Sequence, residues 1–190
     1  MGVVQLQGYS KSAYCLAGLL TAMALPSLAQ DPAYVKKLAP FVGSPAKVVD
    51  SMLSLANVKP GETVFDLGSG DGRILIAAVK NYKAKAVGVE ISPKLASQTN
   101  QRIQKEGIGS EARVIEGDLL TADLTGADVV TIYLDTPLNA RLRPRLEKFL
   151  KPGARVVSHD YPVTGWKPAK IQEIDNKHLI YLYEMPPVKN

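Results

Sequence analysis

Residues 64–73, VFDLGSGDGR, place three glycines at positions 68, 70 and 72 between an apolar start and the run ILIAAV. Val64, Phe65 and Leu67 suit a buried strand, and the apolar residues from Ile74 onward suit a helix. A flexible linker would not be framed in this way. Glycine reaches positive φ without steric cost and lets another group come close to the backbone. A strand, a bare turn and a helix start therefore predict the first unit of an α/β sheet, with the turn as the floor of a ligand site.

The flanking sequence repeats this alternation. Strands are predicted at 63–66, 86–90, 112–116, 128–133 and 154–158. Helices are predicted from Gly72 to Tyr82, from the Ser92-Pro93 cap to about Glu106, and from Leu138 to Leu150. An earlier helix is expected to open with Ser44 as N-cap and Pro45 at its first position, carrying Val48, Val49, Met52 and Leu53 on one face. Pro144 lacks an amide hydrogen, so a kink or a second helix start is expected there. AKIQEI and LIYLYE, separated by a short polar turn, predict a C-terminal antiparallel hairpin. The sum is an α/β sheet of five parallel strands plus that hairpin, flanked by helices.

The chain has 190 residues, with 46% hydrophobic and 22% charged residues and a net charge of +5. That composition gives one globular domain with a core and excludes a disordered chain. The N-terminal segment differs from the rest. It holds no acidic residue before Asp31, and its one charged side chain, Lys11, precedes the short apolar run SAYCLAGLLTAMAL. Ser27-Leu28-Ala29 then fits a cleavage site before Gln30. Residues 1–29 are thus expected to be a signal peptide, or a membrane anchor if uncleaved, and residues 30–190 the functional domain, exported or periplasmic. The one cysteine, Cys15, lies in the apolar run. With two histidines in the whole chain, His159 and His178, no metal site is expected.

The glycine spacing is G-x-G-x-G, not the dinucleotide G-x-G-x-x-G, and no Gly-Lys-Ser/Thr phosphate loop follows. Asp66 leads into the turn. Glu90 ends the second predicted strand, where one carboxylate can accept both ribose hydroxyls. Asp118, in EGDLL after the third strand, is placed to accept from an adenine amino group, with Ile91 and Leu119 flanking the ring. The one basic residue by the turn, Arg73, is expected to point into its helix, which leaves nothing to hold a pyrophosphate. Adenosine bound without phosphates suggests S-adenosylmethionine. Singly, each residue has a plainer reading: a turn, a solvated carboxylate, a helix cap. Their occurrence at three successive strand ends carries the inference.

DLGSGDGR, VGVEIS and EGDLL, in that order, resemble the cofactor segments of class I S-adenosylmethionine-dependent methyltransferases. The resemblance implies a Rossmann-like seven-stranded sheet. More narrowly, FVGSPAKVVDSMLSLANVKPGETVFDLGSGDGRILIAAV and LRPRLEKFLKPGARVVSHDY resemble small bacterial relatives of the ATP-synthase c-subunit lysine methyltransferases. There is a fainter likeness to the non-SET histone-lysine methyltransferases. That resemblance implies a protein lysine as acceptor, with no specific nucleic acid and no metal. In IYLDTPLN, Tyr133, Asp135 and Asn139 would offer oxygens to the lysine, and Phe41 and Ser44 would shape its entrance. The narrow family has aromatic-Val-Pro-Thr/Ser-Pro at that entrance; Gly43 replaces the first proline here and predicts a looser segment. His159 reads as a structural histidine rather than a proton acceptor, and Trp166 as a packed anchor. Arg141, Arg145 and Lys148 share a helix face that is solvated or meets an anionic or membrane-associated partner. Two further readings stand beside methylation of protein: an exported S-adenosylmethionine-binding protein without catalysis, and a small-molecule methyltransferase. The cofactor is made in the cytosol, whereas the N-terminus predicts export.

Overall fold

A computed structural model describes residues 42–190. Phe41, the predicted leader 1–29 and its cut before Gln30 lie outside the described residues. In chain order the elements are α1 (Ala46–Leu55), β1 (Thr63–Leu67), α2 (Arg73–Tyr82), β2 (Lys85–Glu90), α3 (Pro93–Lys105), β3 (Ala112–Glu116), β4 (Val129–Ile132), α4 (Thr136–Phe149), β5 (Arg155–His159), β6 (Lys170–Ile174) and β7 (His178–Glu184). The seven strands form one sheet in the order β3-β2-β1-β4-β5-β7-β6. The first five pair in parallel, and β7 pairs antiparallel with both β5 and β6. The order reverses between β1 and β4, and ligands of open α/β sheets bind at the carboxyl ends of the strands beside such a reversal.

Period-two alternation sends neighbouring side chains of β1 to opposite faces of the sheet. Val64 joins the layer under α1, α2 and α3 with Met52, Leu53, Leu75, Ala78 and Ile103. Phe65 and Leu67 join the opposite layer under α4 with Leu138, Leu142, Leu146 and Trp166. Trp166 is the anchor its sequence context predicts: it packs edge-on against Tyr183, ring centroids 5.4 Å apart, and its Nε1 donates to Glu147 at 2.8 Å.

Three sequence expectations are corrected. Ser44 does not cap α1; Pro45 takes the N-cap position, the helix begins at Ala46, and the Ser44 side chain turns to His159 instead. Pro144 does not start a second helix, because α4 runs unbroken through it. Proline's fixed φ is helical, and Pro144 and Ala140, four residues earlier, are both exposed. α4 also starts two residues earlier than expected, because Asp135 caps it, accepting from the Leu138 amide at 2.9 Å. Among the described residues, no helix is long and apolar enough to cross a membrane.

Candidate active site

The three glycines of the turn have positive φ, at +88° (Gly68), +49° (Gly70) and +73° (Gly72), yet they do different work. Gly68 is exposed, so its backbone is open to a ligand. Gly70 is buried and donates its amide to Glu90 Oε2 at 2.9 Å. Gly72 allows helix packing, since a Cβ there would overlap the Thr99 methyl of α3. Thr99 Oγ1 in turn donates to the Gly70 carbonyl at 2.6 Å. A bare ligand floor thus describes Gly68, while Gly70 and Gly72 shape the turn from behind. The buried Ser69 hydroxyl finds no protein partner, an orphaned polar group within the turn.

Glu90 is buried, 7% exposed, at the end of β2. Its carboxylate accepts the Gly70 amide through Oε2 and the Ser92 amide, at the head of α3, through Oε1, both at 2.9 Å. A carboxylate has further lone pairs, so the residue can brace the turn and still accept hydroxyls. Asp66 is buried at the end of β1, where burial pushes its pKa up to about 7. A 2.8 Å hydrogen bond from Thr131 opposes that shift, and the charges of Glu90 and Asp71 add to it. Asp66 and Glu90 set two carboxyls by the turn, which suits a cationic ligand, while the Asp71 charge is paired with Arg73 and Arg102.

Gly117 donates its amide to the Glu90 carbonyl at 2.9 Å and so brings the EGDLL loop alongside the end of β2. Ile91 and Leu119 are half-buried on these two neighbouring loops. Asp118 folds its own loop, accepting the Leu120 amide at 2.8 Å. The residues expected to meet ribose and adenine therefore share one side of the turn.

Arg73 does not point into its helix. Its guanidinium binds Asp71 through Nε and Nη2 at 2.9 and 2.7 Å, and donates through Nη1 to the Ser44 carbonyl at 2.7 Å. The Arg73 hydrogen bond holds the Asp71 carboxyl below its usual range. Gly43 lies against this guanidinium, and a Cβ there would overlap it. Gly43 thus makes room for an arginine clamp on the segment before α1.

Beyond β4, Tyr133 is half-buried and lies over the His159 ring, centroids 3.8 Å apart. Burial raises its pKa, and the nearby Asp160 charge adds to the effect. Asp135 is an exposed helix cap. Asn139 is fully buried; its amide nitrogen donates to the Tyr161 carbonyl at 3.0 Å and braces the loop after β5, while its Oδ1 has no protein partner. Of the three residues expected around the acceptor, Tyr133 is the one that packs on His159 with Asp160 beside it. Beside it lie His159 and Asp160, which follow β5 as the sequence places them, and His178, whose place next to them sequence reasoning did not foresee. His159 is buried, with Nδ1 2.9 Å from Ser44 Oγ and Nε2 3.0 Å from His178 Nδ1. Asp160, held at φ +59°, reaches both rings. Burial drives the His159 pKa down to about 4, against the pull of Asp160, so the ring is neutral at pH 7. Besides the adjacent Asp160, the ring is held by partners distant in the chain, Ser44 and His178.

The basic face of α4 is partly engaged as well. Arg145 donates to the Ala122 carbonyl and lies 4.7 Å from the centroid of the Phe149 ring.

Residues 66–170 match the family described as the ANTKMT methyltransferase domain. A protein-lysine N-methyltransferase of Saccharolobus islandicus is 43% identical over 148 residues, covering 76% of this chain and 92% of the relative. The human ATP-synthase c-subunit lysine N-methyltransferase is 33% identical over 137 residues, covering 72% of this chain and 58% of the relative. A crystal structure of an RNA methyltransferase from Salinibacter ruber with S-adenosyl-L-homocysteine superposes with a TM-score of 0.74 at 39% identity, covering 76% of this chain and 94% of that one. Glycine turn, strand-ending carboxylate and relatives thus agree: the chain belongs to the ANTKMT methyltransferase domain family and is an S-adenosylmethionine-dependent methyltransferase.

Proposed function

We propose that this enzyme methylates the side-chain nitrogen of a lysine in a protein. The observation that carries the reading is the 43% identity to the Saccharolobus protein-lysine N-methyltransferase across 92% of its length. Bound S-adenosylmethionine supplies an electrophilic methyl group on a sulfonium. The protein's part is to hold the adenosine at Gly68, Glu90, Ile91, Asp118 and Leu119, with Asp66 near the cationic portion, and to present the lysine from the β4–β5 side. A lysine must be neutral to attack, so its surroundings should be partly apolar with a few oxygen acceptors. Tyr133 and its neighbour Asp160 suit that role, and Ser44 borders the entrance.

The Salinibacter relative, an RNA methyltransferase by name, makes nucleic acid the competing acceptor. The test is incubation of the purified full chain with methyl-labelled cofactor and, separately, protein and RNA fractions, followed by mass-spectrometric mapping. Label on a lysine Nε supports the reading; label confined to RNA or to a small molecule overturns it. We also propose that residues 1–29 direct export, supported by Lys11, the apolar run and Ser27-Leu28-Ala29. A product beginning at Gln30 is expected, whereas an intact Met1 on a membrane-bound product would mark an uncleaved anchor. A membrane-associated protein is the acceptor that fits such a location.

A further inference from the structure

We propose that His159, Asp160 and His178 bind one divalent transition-metal ion of the zinc, cobalt or nickel class. These are the two histidines of the whole chain, and the fold brings both to one carboxylate. His159 Nε2 lies 3.0 Å from His178 Nδ1 and 3.2 Å from Asp160 Oδ2, and His178 Nδ1 lies 3.0 Å from the same oxygen. Ligands about 2.0–2.1 Å from a tetrahedral ion sit about 3.3–3.4 Å from one another. Each pair has to open by no more than a few tenths of an ångström to admit the ion.

The surroundings fit the same reading. The other His159 ring nitrogen is 2.9 Å from Ser44 Oγ, and a ligating histidine usually donates its second N–H to such an acceptor. With that proton on Nδ1, Nε2 presents a lone pair to two other lone-pair atoms. One His178 proton cannot bridge all three contacts, whereas a cation at their centre satisfies them together. Asp160 Oδ1 accepts the Leu179 amide at 3.0 Å, which keeps Oδ2 turned toward the rings. The Tyr133 ring covers one side of His159, and the site is open on the His178 side, where that side chain is 26% exposed. A water or a substrate group can supply the remaining position. Two imidazoles and one carboxylate favour zinc and its neighbours over magnesium or calcium. The ion would fasten the loop after β5 to the start of β7, beside the proposed acceptor wall. The site is separate from the glycine turn, and its test does not depend on which acceptor is methylated.

The metal-stripped full chain is titrated with Zn(II) and with Co(II), by calorimetry and visible absorption, and the histidine ring nitrogens are followed by NMR. One equivalent should bind, Co(II) should show the bands of a four- or five-coordinate ion, and both imidazole signals should move. His178→Gln and Asp160→Asn should each weaken binding at least tenfold. Asparagine tolerates the positive φ at position 160 and can keep the Leu179 bond. No saturable uptake, uptake that moves neither histidine signal, or uptake undiminished in both variants would overturn the proposal. If either variant fails to fold, the histidine signals of the unaltered protein decide it alone.

Discussion

Replacement of Glu90 by alanine separates the two tasks that the structure gives this residue. The carboxylate accepts two backbone amides, from Gly70 and Ser92, while buried against the turn. Each is a charge-assisted bond of about 1.5–3 kcal/mol. Losing both should destabilise the fold by on the order of 3–6 kcal/mol, a large share of the roughly 5–15 kcal/mol a domain has. The ribose contact should be lost as well, at about 1.5–3 kcal/mol, or roughly 10- to 150-fold in affinity. S-adenosylmethionine and S-adenosylhomocysteine should weaken together, because both carry the ribose. Glu90→Gln keeps one acceptor oxygen and should lose about half as much stability. The assay is urea denaturation of each variant, then calorimetry with both ligands at a temperature where circular dichroism shows the variant folded. A folded Glu90→Ala protein that binds both ligands as tightly as the parent would refute the reasoning.

Burial raises Asp66 to about pH 7, so between about pH 4 and 7 the folded chain keeps a proton that the unfolded chain has released. Stability should therefore fall as pH rises through that window, and Asp66→Asn should flatten the slope; parallel urea midpoints from pH 4 to 8 in both proteins would count against it. Ionised Asp66 favours a cationic ligand, so cofactor affinity should rise from pH 6 to 8 in the parent and stay level in Asp66→Asn, as read by calorimetry at each pH. Asp135→Ala removes a helix cap and should cost about 0.5–2 kcal/mol, while Asp135→Asn stays near the parent; thermal melts check this, and equal losses in both variants would argue against capping. Gly43→Ala should push the Arg73 guanidinium off Ser44 and raise the acceptor KM several-fold while cofactor Kd holds within about twofold; an unmoved KM would show that the entrance does not depend on the clamp.

The sheet was legible because each parallel strand is a short apolar run bounded by turn residues, and the runs alternate with helices. Helix ends were harder. Ser44 looks like a cap because serine before proline usually is one, but a partner 115 positions away takes its hydroxyl. Pro144 looks like a break, and only the exposure of its helix face shows why the helix tolerates it. In the candidate site, Glu90 and the glycines could be placed from their positions at strand ends. Their division of labour could not, because it rests on Thr99 of a later helix. The pairing of His159 with His178 was invisible in the sequence, since it depends on β7 entering the sheet next to β5.

Ser44 is fastened at two points, its carbonyl to Arg73 beside the glycine turn and its hydroxyl to His159 at the end of β5. One residue thereby joins the glycine turn, where the proposed function seats adenosine, to the end of β5, where it brings the acceptor. On that proposed reading, turnover acquires an order. A first ligand that draws the turn, Asp71 and Arg73 tight also sets Ser44 before a second ligand meets it. Linkage makes the effect reciprocal: the factor by which one ligand alters affinity for the other must be returned unchanged. Loosening either fastening should bring that factor towards one and make entry of the two ligands random.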